Sequence, residues 1–374
     1  MTGNQSNIHF AGLNALRFIA AMGVLVFHLE YKKQLLGFEF HFIKTLTLIG
    51  DQSVTLFFVL SGFLITYLLL AEKESTGTIA IKKFYARRIL RIWPLYYLIL
   101  ILGFFVLPNI GLFQIPTTAL INTSDIFQLA LFFLFFANIG FIAYENVAYI
   151  DQTWSIAVEE QFYLIWPFII KYSKKILPAL IFIIVAFGAI RTVLALLFYV
   201  DEVYKYSYWF ISLTRIDAMA IGGLFAYLLF FKYKQALTVL YNKYVQVTAV
   251  ALLLFLLLHG YVFIYGHHQI YSVLFGIIII NAAANTKSLL GKKIKVVDYF
   301  GKISYGIYMY QNIMIVLSLK LCSMYLGHTS TLFFVISLIT SILLTLFISH
   351  LSYRHFEQFF LKLKMRFTVI KSND

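Results

Sequence analysis

Apolar residues recur along the chain in windows of roughly 18 or more, each long enough to span the hydrocarbon core of a bilayer as a helix. Eleven segments stand out, at approximately 13–31, 53–71, 92–107, 126–143, 154–170, 176–200, 209–231, 245–265, 270–286, 303–321 and 330–350. A membrane barrel shows alternating segments of about ten residues instead. The pattern predicts an all-α, polytopic integral membrane protein.

The stretches between segments sort by charge. Those holding Lys73, Lys82, Lys83, Arg87 and Arg88, then Lys171, Lys174 and Lys175, then Lys232 and Lys234, then Lys292, Lys293 and Lys295, and the tail with Lys362, Lys364 and Arg366 are basic. The positive-inside rule makes them cytoplasmic. The opposite side carries few cations, mainly Lys32, Lys33, Lys44 and Lys205. Between the outer loop PNIGLFQIPTTALINTS and the inner loop KYSKK lie two apolar segments, yet only an odd number of crossings fits. One of 126–143 and 154–170 therefore enters without crossing, which lipid tolerates where protein or a water-filled cavity covers the backbone. The expectation is about ten transmembrane helices plus one buried or re-entrant segment, with both termini cytoplasmic. The whole of 1–374 reads as a single transmembrane domain, with no internal repeat, no cleaved signal peptide and no appended soluble domain.

Composition sharpens this picture. The chain is 61% hydrophobic and 12% charged, with mean hydropathy +0.85, whereas soluble domains are about half apolar and a quarter charged. The net charge of +14 does not point to nucleic acid, because the cations flank apolar runs. There they fix topology and meet the headgroups of membrane lipid, the first expected partner. With Cys322 as the lone cysteine, an internal disulfide framework and a Cys-rich metal site are excluded.

Ionisable side chains inside a membrane cost roughly 2.5–3.5 kcal/mol each on insertion scales, so each needs a reason. In RFIAAMGVLVFH, Arg17 and His28 lie eleven residues apart. On a helix that is three turns plus roughly 20°, with a rise of about 16 Å, so both share one face. An Arg that snorkels to the headgroups and a His at the far interface is the alternative. In KKFYARRILRIWP, the i,i+3 and i,i+4 spacings of Arg87, Arg88 and Arg91 give one guanidinium-rich face, suited to phosphate; ordinary topological anchoring is the competing explanation. In TWSIAVEEQFYLIWP, Glu159 and Glu160 sit in an apolar stretch beside Trp154, Ser155, Gln161 and Tyr163. Adjacent residues point about 100° apart, so at least one carboxylate needs a polar cavity or a cation. Arg215 and Asp217 open the segment TRIDAMAIGG, where Gly222 and Gly223 allow close helix packing; Arg191 reads as one half of a structural pair. His9, His41, His267, His268, His328 and His355 fall in loops or tails, and His259 and His350 end helices. No HExxH, paired-Asp or P-loop signature is present, so no metal is expected.

These blocks, in order and over nearly the whole chain, resemble membrane-bound acyltransferase family 3, which includes O-antigen and other surface-polysaccharide O-acetyltransferases. The blocks are LNALRFIAAMGVLVFH, LFFVLSGFLIT, FYARRILRIWPLYY, TWSIAVEEQFYLIWP, TRIDAMAIGG and GKISYGIYMY. Three departures stand out. Ser53 and Thr55 occupy places where the family often has Gly and Asp, Gln311 stands where a His is common, and Glu357-Gln358-Phe359 replaces a Glu-x-Pro.

The resemblance implies transfer of an acyl group, most commonly acetyl, from cytoplasmic acyl-CoA (acetyl-CoA) to a hydroxyl of a cell-surface glycan or lipid-linked sugar, in a bacterial inner membrane. Arg87, Arg88 and Arg91 would clamp the donor's phosphates, with Arg17 at the entry. His28 would be the general base, an acyl-histidine intermediate staying open. Glu159 or Glu160 would orient His28, offset its charge or bind the acceptor. Trp154, Ser155, Tyr163, Arg215 and Asp217 are expected to bind substrate. Some members carry an extracytoplasmic esterase-like domain, so the resemblance implies either a separate extracytoplasmic partner or none. A transporter or flippase using the same Arg, His and Glu cluster is the rival class, and a sensor without turnover is a second. Acyl-CoA consumption separates the enzyme from both.

Overall fold

The computed structural model describes residues 10, 12–40, 44–115, 125–144, 149–288, 294–327 and 331–370; His9, His41, His328, Lys292 and Lys293 lie outside them. The helices are α1 (Leu13–Leu35), α2 (Lys44–Thr76), α3 (Ile81–Ile101), α4 (Ile126–Phe133), α5 (Ala137–Tyr144), α6 (Thr153–Tyr172), α7 (Ile176–Leu197) and α8 (Glu202–Thr214). They continue with α9 (Ile216–Phe230), α10 (Lys234–Leu240), α11 (Lys243–Leu258), α12 (His267–Ala284), α13 (Lys295–Lys302), α14 (Ser304–Ser323), α15 (Thr331–Ser352) and α16 (Gln358–Lys364). No strand occurs among the described residues.

Seven described helices are long and apolar enough to cross a membrane: α1, α2, α3 with its extension to Asn109, α7, the joined α8–α9, α12, and α15 with its extension to Phe367. The pair α10–α11, bent by 57°, passes the same test as one unit. α6 and α14 are each 20 residues long, about 30 Å at 1.5 Å per residue. Their lower hydropathy comes from polar side chains. The chain is an integral membrane protein.

Depth in the bundle follows side-chain type. α2 lies at the centre, 72% of its most apolar window buried, packed on α1, α6, α9 and α12. α7, by contrast, has 11% of its window buried and exposes Phe182, Val185 and Leu196. α15 buries Ser337, Ser341, Thr345, Ser349 and Ser352 and turns Leu343 and Phe347 outward. That three- and four-residue spacing of small hydroxyls lets α14 approach closely, as helices associate in lipid by small-residue packing.

The segment 126–143 is the one that does not cross as a single helix. Asp125 starts α4 by accepting from the backbone N–H of Phe127 (2.9 Å) and Gln128 (3.2 Å), a side-chain N-cap. The chain breaks at Phe135, whose φ of 61° is left-handed. α4 and α5 have eight residues each, about 12 Å, too short for a core of about 30 Å. The break frees backbone carbonyls, and polar side chains of two neighbouring helices take them up. Tyr96 donates to the Phe132 carbonyl (2.7 Å), Tyr97 to that of Phe133 (3.1 Å) and Gln161 to that of Phe135 (2.9 Å). This is the covering that irregular backbone at membrane depth requires.

α2 and α9 meet backbone to backbone. A Cβ on Gly62 would lie 1.9 Å from the Met219 carbonyl oxygen, and one on Gly222 would lie 2.1 Å from that of Val59. No side chain can yield there. Gly222→Val is therefore expected to destabilise by about 3 kcal/mol or more, at or beyond the usual overpacking range. The check is thermal unfolding of the purified protein in detergent, with Gly111→Ala, whose added Cβ meets nothing within 4 Å, as comparison.

Candidate active site

Two polar regions lie at opposite ends of α1. At the Arg17 end, Arg17 donates to Asn14 Oδ1 (2.7 Å). Arg87, Arg88 and Arg91 project from α3, but their surroundings differ. Arg87 pairs with Glu72 (3.0 Å) and donates to the Phe367 carbonyl (2.9 Å); Glu72 also accepts from Ala80 N–H (2.8 Å). Arg87 thus fastens the α2–α3 turn to the tail. The Arg88 guanidinium lies over the rings of Phe84 (5.8 Å) and Tyr163 (5.5 Å). Arg91 makes no ion pair among the described residues. α16 packs on α3 and sets Lys364 in the field of Arg91, Arg88, Arg87 and Arg17. The sequence reading took Lys364 for a topological anchor; only the fold of the tail back onto α3 reveals it.

Glu159 and Glu160 belong with the arginines and make no contact with His28. Glu159 accepts from Ser61 (2.8 Å) and Tyr163 (3.1 Å), and Glu160 accepts from Trp93 Nε1 (3.1 Å). Arg88 faces both carboxylates and Arg91 faces Glu159.

At the other end His28 is buried, its Nδ1 without a hydrogen-bond partner among the described residues. One turn on lies Lys32, expected in an outer loop and instead inside α1 with no exposed surface. It pairs with Asp151 (2.5 Å). Asp151 and Lys32 are the charges that act on His28, and Gln311 lies within reach of its ring. Gln311 is the position where the resemblance led one to look for a His.

A hydrogen-bonded frame surrounds this pair. Asn312 donates to Asp151 and to Gln152 Oε1 (2.5 Å), Gln152 Nε2 to the Met309 carbonyl (2.8 Å), and Ser155 Oγ meets Tyr308 OH at 2.7 Å. Sequence reasoning singled out Ser155 but missed Lys32, Asp151, Gln152 and Asn312. The signal was present: Lys32 is i+4 from His28, and Asp151-Gln152 directly precede TWS.

Arg215 and Asp217, adjacent in sequence expectation, part company. Asp217 is held bidentately by Arg191 (2.9 and 3.1 Å), fully buried, the structural pair expected of Arg191. Arg215 has φ of 38° at the α8–α9 break. It pairs with Asp51, donates to Thr55 Oγ1 (2.8 Å) and lies over the Trp154 ring (5.8 Å). Thr55 stands where the family often has Asp; here the carboxylate comes from Asp51, one helical turn earlier.

Asp51, His267 and His268 offer three ligand atoms within 4.8 Å of one another, although the histidines carried no signal in sequence. Hydrogen bonding already engages this group. Arg215 holds one Asp51 oxygen, and the Gln52 amide donates to the other (2.7 Å) and faces His267 Nε2 (3.0 Å).

A charged cradle lies at one end and a buried imidazole at the other, with α1 joining them. A family model described as an acyltransferase domain matches residues 10–350. The chain belongs to acyltransferase family 3. Among its relatives, the peptidoglycan O-acetyltransferase OatA of Listeria monocytogenes is 28% identical over 330 residues, covering 83% of this chain and 50% of that protein. The O-acetyltransferase OatA of Staphylococcus aureus is 30% identical over 168 residues, 44% of this chain and 25% of that one. The chain thus spans about half the length of the Listeria protein it matches. No solved structure matches this acyltransferase-family chain.

Removing one member of a buried ion pair leaves an uncompensated charge, at a cost of about 3–5 kcal/mol, whereas replacing both with apolar groups is often neutral. Lys32→Met should therefore lower the unfolding temperature sharply, and Lys32→Met with Asp151→Leu should recover much of the loss. Circular dichroism melts of the three proteins in one detergent check this.

Proposed function

We propose that this protein is an acyl-CoA-dependent membrane O-acyltransferase, carrying an acetyl group from cytoplasmic acetyl-CoA to a hydroxyl of a cell-surface glycan. The observation that carries the reading is the shared face of α1, with Arg17 near the Arg88–Arg91–Lys364 cluster and His28 about 16 Å further along the helix. In this reading the basic loops and both termini are cytoplasmic, the membrane is the bacterial inner membrane, and the Arg17 end faces the cytoplasm.

Arg88, Arg91 and Lys364, with Arg17, would hold the donor's phosphates. Arg87 is committed to Glu72 and the tail, so its part is to position α3. Glu159 and Glu160, bonded to Ser61, Tyr163 and Trp93, offset the arginine charge along the donor's path. His28 takes the proton of the attacking hydroxyl as the new C–O bond forms. The tetrahedral carbon then collapses, the C–S bond breaks, and the thiolate leaves with the proton that His28 returns. Asp151 offsets the transient imidazolium, and Lys32 lies beside the developing oxyanion's charge. Such a general-base step contributes typically 10²–10⁴-fold.

The acceptor is read as a cell-wall or surface glycan because the Listeria relative is named for peptidoglycan. In this reading the glycan is met from outside, directly or through a separate extracytoplasmic partner.

His28→Ala should abolish ester-linked acetyl on surface glycans at matched membrane levels of protein. Unchanged acetyl content would overturn the assignment. Arg91→Ala should raise the KM for acyl-CoA about tenfold or more with a smaller change in kcat, measured by thiol release from acetyl-CoA in isolated membranes. Equal loss in kcat alone would remove it from donor binding.

A further inference from the structure

At the His28 end lies a second polar chamber that the reaction as drawn does not use. It is a cavity of about 60 Å³ between α7, α8 and the turn leading into α12. Its level follows from the packing of α1 on α2. Gly50 sits against Phe27, so Asp51 is level with His28, and Asp51 in turn faces His267 and His268 at the start of α12.

The chamber holds polar atoms that the protein leaves unanswered. Among the described residues, Arg191 Nε, His268 Nδ1 and both amide atoms of Gln269 are buried and have no hydrogen-bond partner. All three residues line the cavity, and Arg191 and His268 are more than nine-tenths buried. Ser212 and Ser272, one turn from lining residues, carry further unpartnered hydroxyls. The first turn of α12 adds N–H groups, because its N-cap Gly266 supplies no side-chain bond. Buried polar groups are nearly always hydrogen-bonded, and each one left unmade costs free energy. A cluster of them around one cavity marks a place where a ligand completes the set.

Charge and size define that ligand. The fixed charges nearby cancel in pairs, Arg191 with Asp217 and Arg215 with Asp51. What remains is an imidazole, an amide, hydroxyls and N–H groups, a mixture of donors and acceptors suited to a neutral polyol. At about 60 Å³ the cavity has room for a small polar substituent. Tyr208 lines the same cavity and adds an aromatic wall against which a sugar can pack.

Resting on the acyltransferase reading, we infer that this chamber is an acceptor subsite, which takes a hydroxymethyl or similar uncharged substituent of a glycan while the reacting hydroxyl lies at His28. From the chamber a polar chain runs from His268 through Asp51 and Arg215 to the Trp154 ring, next in sequence to Ser155 of the frame around His28.

The test uses the full-length protein in nanodiscs, acetyl-CoA, and oligosaccharides released enzymatically from the cell wall. Gln269→Leu and Tyr208→Leu are each expected to raise the oligosaccharide KM at least tenfold while the acyl-CoA KM stays within twofold. Gln269→Leu removes only unpartnered polar atoms, so its unfolding temperature should hold or rise. A merely structural Gln269 would lower that temperature and leave the KM alone. If wild type transfers acetyl and both variants keep the wild-type oligosaccharide KM, the subsite is refuted and the acyltransferase reading stands. If wild type neither consumes acetyl-CoA nor acetylates the oligosaccharide, both fall together.

Discussion

Lys32 has no exposed surface and reaches Asp151 across the bundle. A charge at that depth persists only when paired and hydrogen-bonded, and the partners come from three places in the chain. Lys32 is on α1, Asp151 precedes α6, and Asn312 on α14 binds the same carboxylate. One buried ion pair therefore fixes the mutual position of the elements around His28. The imidazole is held one turn from a cation and opposite an anion, in a space from which lipid is excluded. Ser155, Tyr308 and Gln152 are oriented by the same frame.

The other end obeys a different economy of charge. Four arginines and Lys364 converge, and the carboxylates of Glu72, Glu159 and Glu160 are spread among them. Arg87 is spent on architecture, which leaves Arg88 and Arg91 with their guanidiniums toward aromatic rings and the carboxylate pair. The contrast between the ends is chemical: many cations on one side, one imidazole within a hydrogen-bonded polar cage on the other. Between them runs α1, with Ala20, Ala21, Val24 and Leu25 buried along its length.

The fold class was legible because the period of apolar residues reports length and lipid exposure directly. α7, α12, α14 and α15 fall within a few residues of the apolar runs at 176–200, 270–286, 303–321 and 330–350. The crossing count also identified an irregular segment, and the structure supplies the reason in Phe135, a left-handed residue that no hydropathy profile reveals. Depth was less legible. Lys32 and Lys33 lie at the end of an apolar run and read as loop residues, because a sequence does not say how far the neighbouring helices extend. Asp51 and the His267–His268 pair were invisible for the same reason, since their meaning depends on α2 and α12 coming together. For Glu159 and Glu160 the sequence asked for a polar cavity or a cation for at least one; which groups they meet depended on the rotation of α6, which turns them to Ser61, Tyr163 and Trp93, on the side of the α3 arginines.

The Gly62–Gly222 crossing has a mechanical side. Helices that touch through side chains slide past one another by changing rotamers; helices that touch through their main chains cannot. α2 and α9 are bolted together at mid-depth, close to the Trp166–Thr66 hydrogen bond that ties α6 to α2 (2.9 Å). The centre of the bundle is thus a fixed hub. Any opening that admits a bulky molecule falls to the rim, where α7, α11 and α15 present lipid with faces that bear no such bolt.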